Sequence, residues 1–182
     1  MNRIERSARV RELTAGALCT AVTCLLAPVS IPIGPVELTM GVFGILLCGA
    51  LLPPPAAVLA ALSYLLIGFA GFPVFAGYAA GPGVLLGLTG GYLLAYPLMA
   101  GALSLVCRRT RSMAGQMAGV VLALGLCYLP GTVWFMAVSG MELLPSLSAC
   151  VFPFVLPDLL KGACAVRLAE LCRQRVPGLS GW

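Results

Sequence analysis

The sequence predicts an all-α integral membrane protein, a six-transmembrane-helix bundle built as one membrane domain over 1–182 with both termini cytoplasmic. Three observations predict it. First, 60% of the 182 residues are hydrophobic and only 9% are charged, whereas a soluble domain carries about 25% charged residues. Second, the 11 Lys/Arg and 6 Asp/Glu are clustered, leaving long charge-poor runs. Third, those runs have room for an even number of spans between the basic clusters, which lets every cluster face one side. A soluble surface cannot be built from this composition, and disorder requires low hydrophobicity.

Charge placement sets the boundaries. Arg3, Glu5, Arg6, Arg9, Arg11 and Glu12 crowd the start, and Glu37 is the only charge from Leu13 to Cys107. Arg108, Arg109 and Arg111 form the next cluster, and Glu142 is the only charge from Ser112 to Pro157. Asp158, Lys161, Arg167, Glu170, Arg173 and Arg175 follow. Ionised side chains are costly in hydrocarbon, so the charge-poor runs are the membrane segments and the Arg clusters mark the cytoplasmic side. At about 20 residues per span the first run holds four spans and the second holds two.

The spans, in order, lie near 13–31, 38–53, 56–72, 83–106, 113–137 and 147–171. Gly and Pro punctuate the breaks at Pro32–Pro35, Pro53–Pro55, Gly71–Pro82 and Gly140–Pro145, and the Arg loop supplies the remaining one. Glu37 and Glu142 then fall on the outer side. The first span has the basic start and apolar run of a signal peptide, but no clear small-x-small cleavage site follows, so it is read as retained. Orientation and contact with anionic membrane lipid account for the net charge of +5, and no nucleic acid is called for.

The residue inventory excludes several chemistries. There is no histidine, which removes imidazole metal sites and Ser-His or Cys-His catalysis. The eight cysteines form no C-x-x-C pair and read as small apolar packing residues. A twin-aspartate protease needs two embedded aspartates, and only Asp158 is present. The only lysine, Lys161, follows Leu160 and lies in no phosphate loop. No enzyme, metal or cofactor is expected, and any ATP-driven work falls to another polypeptide.

Three constellations remain. Asp158 and Lys161, at i and i+3, share a helical face about 16 Å along the last span. They form either a structural ion pair or a polar substrate site, and the prolines at 153 and 157 favour the site by interrupting the backbone there. The stretch 71–92 combines glycines with Phe75, Tyr78 and Tyr92. Its glycines leave backbone groups open to a ligand, and its rings supply flat apolar walls, although Gly83, Gly87 and Gly91 equally suit helix packing. Ala17 and Ala21 make a small-residue stripe on the first span that suits a partner helix, as chance spacing in an Ala-rich chain also would.

Taken together, the segments resemble the BioY family, the biotin-binding S components of energy-coupling-factor (ECF) transporters. The strings that carry the resemblance are Ile31-Pro32-Ile33-Gly34-Pro35-Val36, Gly68 to Gly77, Thr89-Gly90-Gly91-Tyr92-Leu93, and Pro153-Phe154 followed by Asp158-Leu159-Leu160-Lys161. They run in family order over nearly the whole chain. Departures from the family pattern are Glu37 in place of a proline, Gly41 in place of a glutamine, Leu88, and Leu156-Pro157 before the aspartate. All border the expected pocket.

The resemblance implies a vitamin receptor in a prokaryotic plasma membrane, with biotin as ligand and a scaffold subunit and two ATPase subunits as partners. It implies a substrate site of Asp158, Lys161, Phe75, Gly77, Tyr78, Thr89, Gly90 and Tyr92, with Ala17 and Ala21 facing the scaffold. Asp158 would accept from the ureido N–H groups, and Lys161 would either meet the ligand carboxylate or hold Asp158 ionised. The 71–82 loop would be a lid. An S component for another vitamin or precursor, and a ligand-free membrane structural protein, are the alternatives.

Overall fold

Proline and glycine bound several of the helices, while Pro97, Pro130 and Pro157 lie within helices. The structure, a computed structural model, describes residues 3–175. Its elements are α1 (Arg3–Leu26), a hairpin of β1 (Ser30–Ile33) and β2 (Val36–Thr39), α2 (Gly41–Leu51), α3 (Pro54–Phe69), a 3-10 turn (Ala76–Tyr78), α4 (Pro82–Leu86), α5 (Gly90–Arg109), α6 (Met113–Ser139), α7 (Leu143–Cys150) and α8 (Phe152–Arg175). Pro54 and Pro55 open α3, where a missing N–H costs nothing. Ser112 caps α6 by accepting from the Gly115 N–H at 3.2 Å. Gly140 closes α6 at φ +70, the left-handed position that suits glycine.

α2 is the hub. Nine of its eleven residues are buried, as expected for a helix that is apolar all round. It contacts α1, α3, α5 and α8, while α5 packs along α6 and α6 also meets α8. The core runs through Ile45, Leu46, Met99, Leu103, Val120 and Val166, all at most 1% exposed. Thr20 of α1 donates to the Ala60 carbonyl of α3 at 3.1 Å, and Ser104 of α5 donates to the Leu52 carbonyl at 2.6 Å. The outer faces are apolar instead: Leu13, Leu18, Leu25, Leu98, Leu129 and Val133 are each more than 60% exposed. An apolar belt of this kind suits lipid.

The structure differs from the expected spans in four places. The chain is mostly helical but not all-α, because residues 30–39 pair as a hairpin in the register Ser30↔Thr39 to Ile33↔Val36. Gly34, at φ +74, supplies the positive φ that a two-residue Gly-Pro connection requires. α1 therefore ends at Leu26 rather than near 31, and the span expected over 38–53 shrinks to α2, about 16 Å long at 1.5 Å per residue. The span expected over 83–106 is broken into α4 and α5. The span expected over 147–171 is α7 and α8, bent by 40° at residue 151.

By length and composition, α5 and α6 are each long and apolar enough to cross a membrane, and α7 with α8 qualifies as one broken crossing. α2 and α3 are shorter apolar helices. α6 and α3 follow the expected boundaries closely, at 113–139 and 54–69. The extreme ends of the chain, whose side of the membrane the charge pattern addresses, lie outside the described residues.

Candidate ligand cavity

One end of the bundle encloses a cavity of about 280 Å³ beneath the hairpin and the 3-10 turn. Small-molecule sites run from about 300 Å³ upward, so the space fits a compact ligand. Its walls come from β2, α3, the 3-10 turn, the α4–α5 break, α5, α6 and α8.

Tyrosines build most of the wall. Tyr64, Tyr92, Tyr96 and Tyr128 line it, four of the five in the chain. Tyr92 and Tyr96 share a face of α5 one turn apart. The Tyr64 and Tyr96 rings stack at 6.2 Å, and Phe75 meets Tyr64 edge-on at 5.6 Å. The Tyr64 hydroxyl donates to the Val74 carbonyl at 3.1 Å, and the Tyr92 hydroxyl lies 3.1 Å from that of Thr132. These two phenols keep an apolar ring for the cavity wall while their polar tips are satisfied.

Two glycines make room for these rings. A Cβ on Gly68 of α3 would fall 2.1 Å from the Phe75 ring, and one on Gly131 of α6 would fall 2.2 Å from the Tyr92 ring. Phe75 is thereby seated 1% exposed against α3, although it belongs to an irregular loop.

Asp158 is the polar centre. It is 2% exposed and lines the cavity from α8. Lys161 donates to Oδ1 at 2.8 Å and the Tyr128 hydroxyl donates to Oδ2 at 2.7 Å. Lys161 also donates to the Thr39 carbonyl of β2 at 2.8 Å, which ties α8 to the hairpin. A carboxylate offers about four acceptor positions, so roughly two remain for N–H donors in the cavity. Lys161 neutralises Asp158 from behind the wall, and its own ammonium does not line the cavity.

The mouth is tied shut by hydrogen bonds. The Ser30 hydroxyl donates to the Glu37 carboxylate and accepts from the Gly77 N–H at 3.0 Å. The Gly77 N–H also reaches the Pro28 carbonyl at 3.2 Å. Gly77 and Tyr78 both sit at φ +61, and for Tyr78 that conformation costs about 1–3 kcal/mol.

The expected site residues divide evenly. Phe75, Thr89, Tyr92 and Asp158 line the cavity. Lys161 stands behind Asp158, and Gly77 backs Glu37. Gly90 is buried at the start of α5 against the Leu85 carbonyl, outside the lining. Tyr78 points away and is 69% exposed. The lining also includes Glu37, Tyr64, Tyr96, Tyr128 and Phe154, which the sequence reading did not single out as site residues. A tyrosine within an apolar helix, whose hydroxyl needs a partner, was the available signal for three of them. Ala17 and Ala21 lie exposed in a separate apolar groove between α1 and α3. Among the described residues no cluster of His, Cys, Asp or Glu could hold a metal.

Comparison with known proteins gives the chain its family. Residues 1–178 match the sequence profile of the BioY family. The chain belongs to the BioY family. It is 36% identical over 162 residues to the probable biotin transporter BioY of Pyrococcus horikoshii, covering 89% of this chain and 96% of that protein. It is 35% identical over 160 residues to the biotin transporter BioY of Thermotoga maritima, covering 88% and 94%. A crystal structure of the S component for biotin from an ECF-type ABC transporter superposes with a TM-score of 0.87 at 25% identity, covering 97% of this chain and 96% of that one. The broken helices and the hairpin thus belong to an S-component membrane fold.

Proposed function

We propose that this chain is the substrate-binding membrane subunit of a biotin uptake transporter, energised by a separate scaffold subunit and two ATPase subunits in a prokaryotic plasma membrane. Family membership and the S-component fold support the transport role. The observation that carries the ligand assignment is Asp158, neutralised by Lys161 yet open to the cavity within tyrosine walls. The ureido N–H groups of biotin would donate to Asp158, and its fused ring would lie against Phe75, Tyr92 and Tyr96. Lys161 takes the role of Asp158's partner rather than of a contact for the ligand carboxylate. The subunit binds and releases its ligand unchanged and is not an enzyme.

In this reading the chain crosses the membrane six times, with α1, α2, α3, α5, α6 and the α7–α8 pair as the crossings. Arg108, Arg109 and Arg111 then mark the cytoplasmic side, and the hairpin, the 3-10 turn and the cavity mouth face outward. The 71–82 loop acts as the lid. Ala17 and Ala21 present the scaffold-facing stripe, since a small-residue groove lets another helix approach closely.

The test is native mass spectrometry and thermal unfolding of the detergent-purified chain with a panel of vitamins. One bound biotin per chain is expected. Ligand at a thousandfold above Kd should add about 4 kcal/mol of stability. The absence of both a biotin adduct and stabilisation by biotin would overturn the assignment, and stabilisation by another vitamin would replace it.

A further inference from the structure

Glu37 is the one charge in the cavity wall that this mode of binding leaves unused. Asp158 is matched by Lys161 at 2.8 Å. Glu37, by contrast, is met by the Ser30 hydroxyl and lies beside Gly77, where a Cβ would fall 3.2 Å from its carboxylate oxygens. Neither of the ion pairs Lys161–Asp158 and Arg167–Glu170 includes Glu37. Among the described residues Asp158 and Glu37 are the only acidic side chains in the lining, and with Lys161 counted the formal charge at the cavity is −1.

The direction of β2 places that charge relative to the anchor. Lys161, paired with Asp158, donates to the Thr39 carbonyl of the strand, and Glu37 lies two residues back toward the hairpin turn. Alternate residues of a strand share a face, and two residues span about 7 Å. A ligand held by its ring at Asp158 and extended along β2 therefore ends beside Glu37, beneath the 76–79 turn. Biotin is such a molecule, with a five-carbon acid tail opposite its ureido ring. Its free carboxylate would face the Glu37 carboxylate in a part-desolvated space, where like charges repel far more than in water.

We propose that Glu37 is a specificity-determining residue that reads the ligand tail, disfavouring a free carboxylate and favouring a tail that ends in an N–H or ammonium donor, as an amide-linked biotin does. The chemistry is complementary: a carboxylate held by Ser30 has acceptor positions left over, and an amide N–H can donate to one. This rests on the cavity being a biotin site.

The experiment measures Kd for biotin and for the neutral primary amide of biotin, on the full chain in lipid nanodiscs, for wild type and Glu37→Gln. Glutamine keeps the shape and an oxygen that accepts from Ser30, while removing the charge and exchanging the second oxygen for an NH2 donor. The ratio of the biotin Kd to the amide Kd should fall by about tenfold in Glu37→Gln, the scale of one like-charge contact at short range. Most of that change should appear as tighter binding of biotin. Glu37→Ala, which removes the charge and the Ser30 bond together, should shift the ratio in the same direction. If both variants bind both probes with a ratio within about twofold of wild type, this proposal falls and the biotin site stands. If neither probe binds wild type or either variant, the biotin site itself falls, and this proposal with it.

Discussion

Removing either member of the Asp158–Lys161 pair should separate binding from folding in a measurable way. The pair is nearly dry: the Asp158 side chain is 3% exposed and that of Lys161 is 12% exposed. Lys161→Ala leaves the carboxylate with the Tyr128 hydroxyl alone, and stranding a buried charge costs about 3–5 kcal/mol. Asp158→Asn leaves the ammonium with the Thr39 carbonyl and an uncharged amide. It also swaps one carboxylate oxygen for an NH2 group, turning an acceptor for a ligand N–H into a donor. Hydrogen bonds to a charged group contribute about 1.5–3 kcal/mol each, so biotin affinity should fall at least about tenfold in either variant. Asp158→Asn with Lys161→Met removes both charges together, and its stability should return towards wild type while its affinity does not. Titration calorimetry and thermal melts on the same preparations provide both readings. Wild-type affinity in a folded Asp158→Asn protein would refute the reasoning.

Three further outcomes are expected. Gly68→Ala places a Cβ 2.1 Å from the Phe75 ring and must push that ring off α3, lowering stability by about 1–3 kcal/mol in a melt and weakening biotin binding. An unshifted melt would mean that the Phe75 seat is not tight. Ser30→Ala cuts the bridge between Gly77 and Glu37, so the biotin off-rate in a stopped-flow chase should rise severalfold with little change in melting temperature; an unchanged off-rate counts against the lid. Ala17→Leu and Ala21→Leu fill the α1–α3 groove and should leave biotin binding intact while abolishing co-purification with the scaffold subunit. Retained co-purification would move the docking face elsewhere.

Much of the fold is legible in the chain because the forces behind it are local. Charges cannot rest in hydrocarbon, so the gaps between Arg11, Arg108 and Asp158 outline the apolar segments. Proline and glycine act on their own backbone, so Pro53–Pro55 and Gly140 end helices wherever the rest of the chain lies. The hairpin was missed for the opposite reason. Its two strands are four residues each, contain Pro32, and flank an apolar run that reads equally well as helix. Tertiary contacts give that hairpin its place: the bond from Lys161 on α8 to Thr39, 122 residues away in sequence, the contact with the 76–78 turn, and the packing of Val36 with Phe135, Cys150 and Phe154.

The site divides along the same line. Asp158 and Lys161 stand out in sequence because a buried charge requires a partner, and i, i+3 spacing names it. The side of the wall on which each stands was decided by packing, with Asp158 facing the cavity and Lys161 behind it. Tyr78 and Phe75 lie three residues apart in one loop, yet one is 69% exposed and the other 1%. Phe75 owes its seat to Gly68 on a neighbouring helix, whose missing Cβ leaves room for that ring. By itself, the sequence determined a charge-poor helical chain with one embedded acid–base pair, since those follow from each residue's own cost of desolvation. Only the tertiary structure decided that Tyr64, Tyr96, Tyr128 and Glu37 converge on that pair, because convergence depends on which helix faces meet.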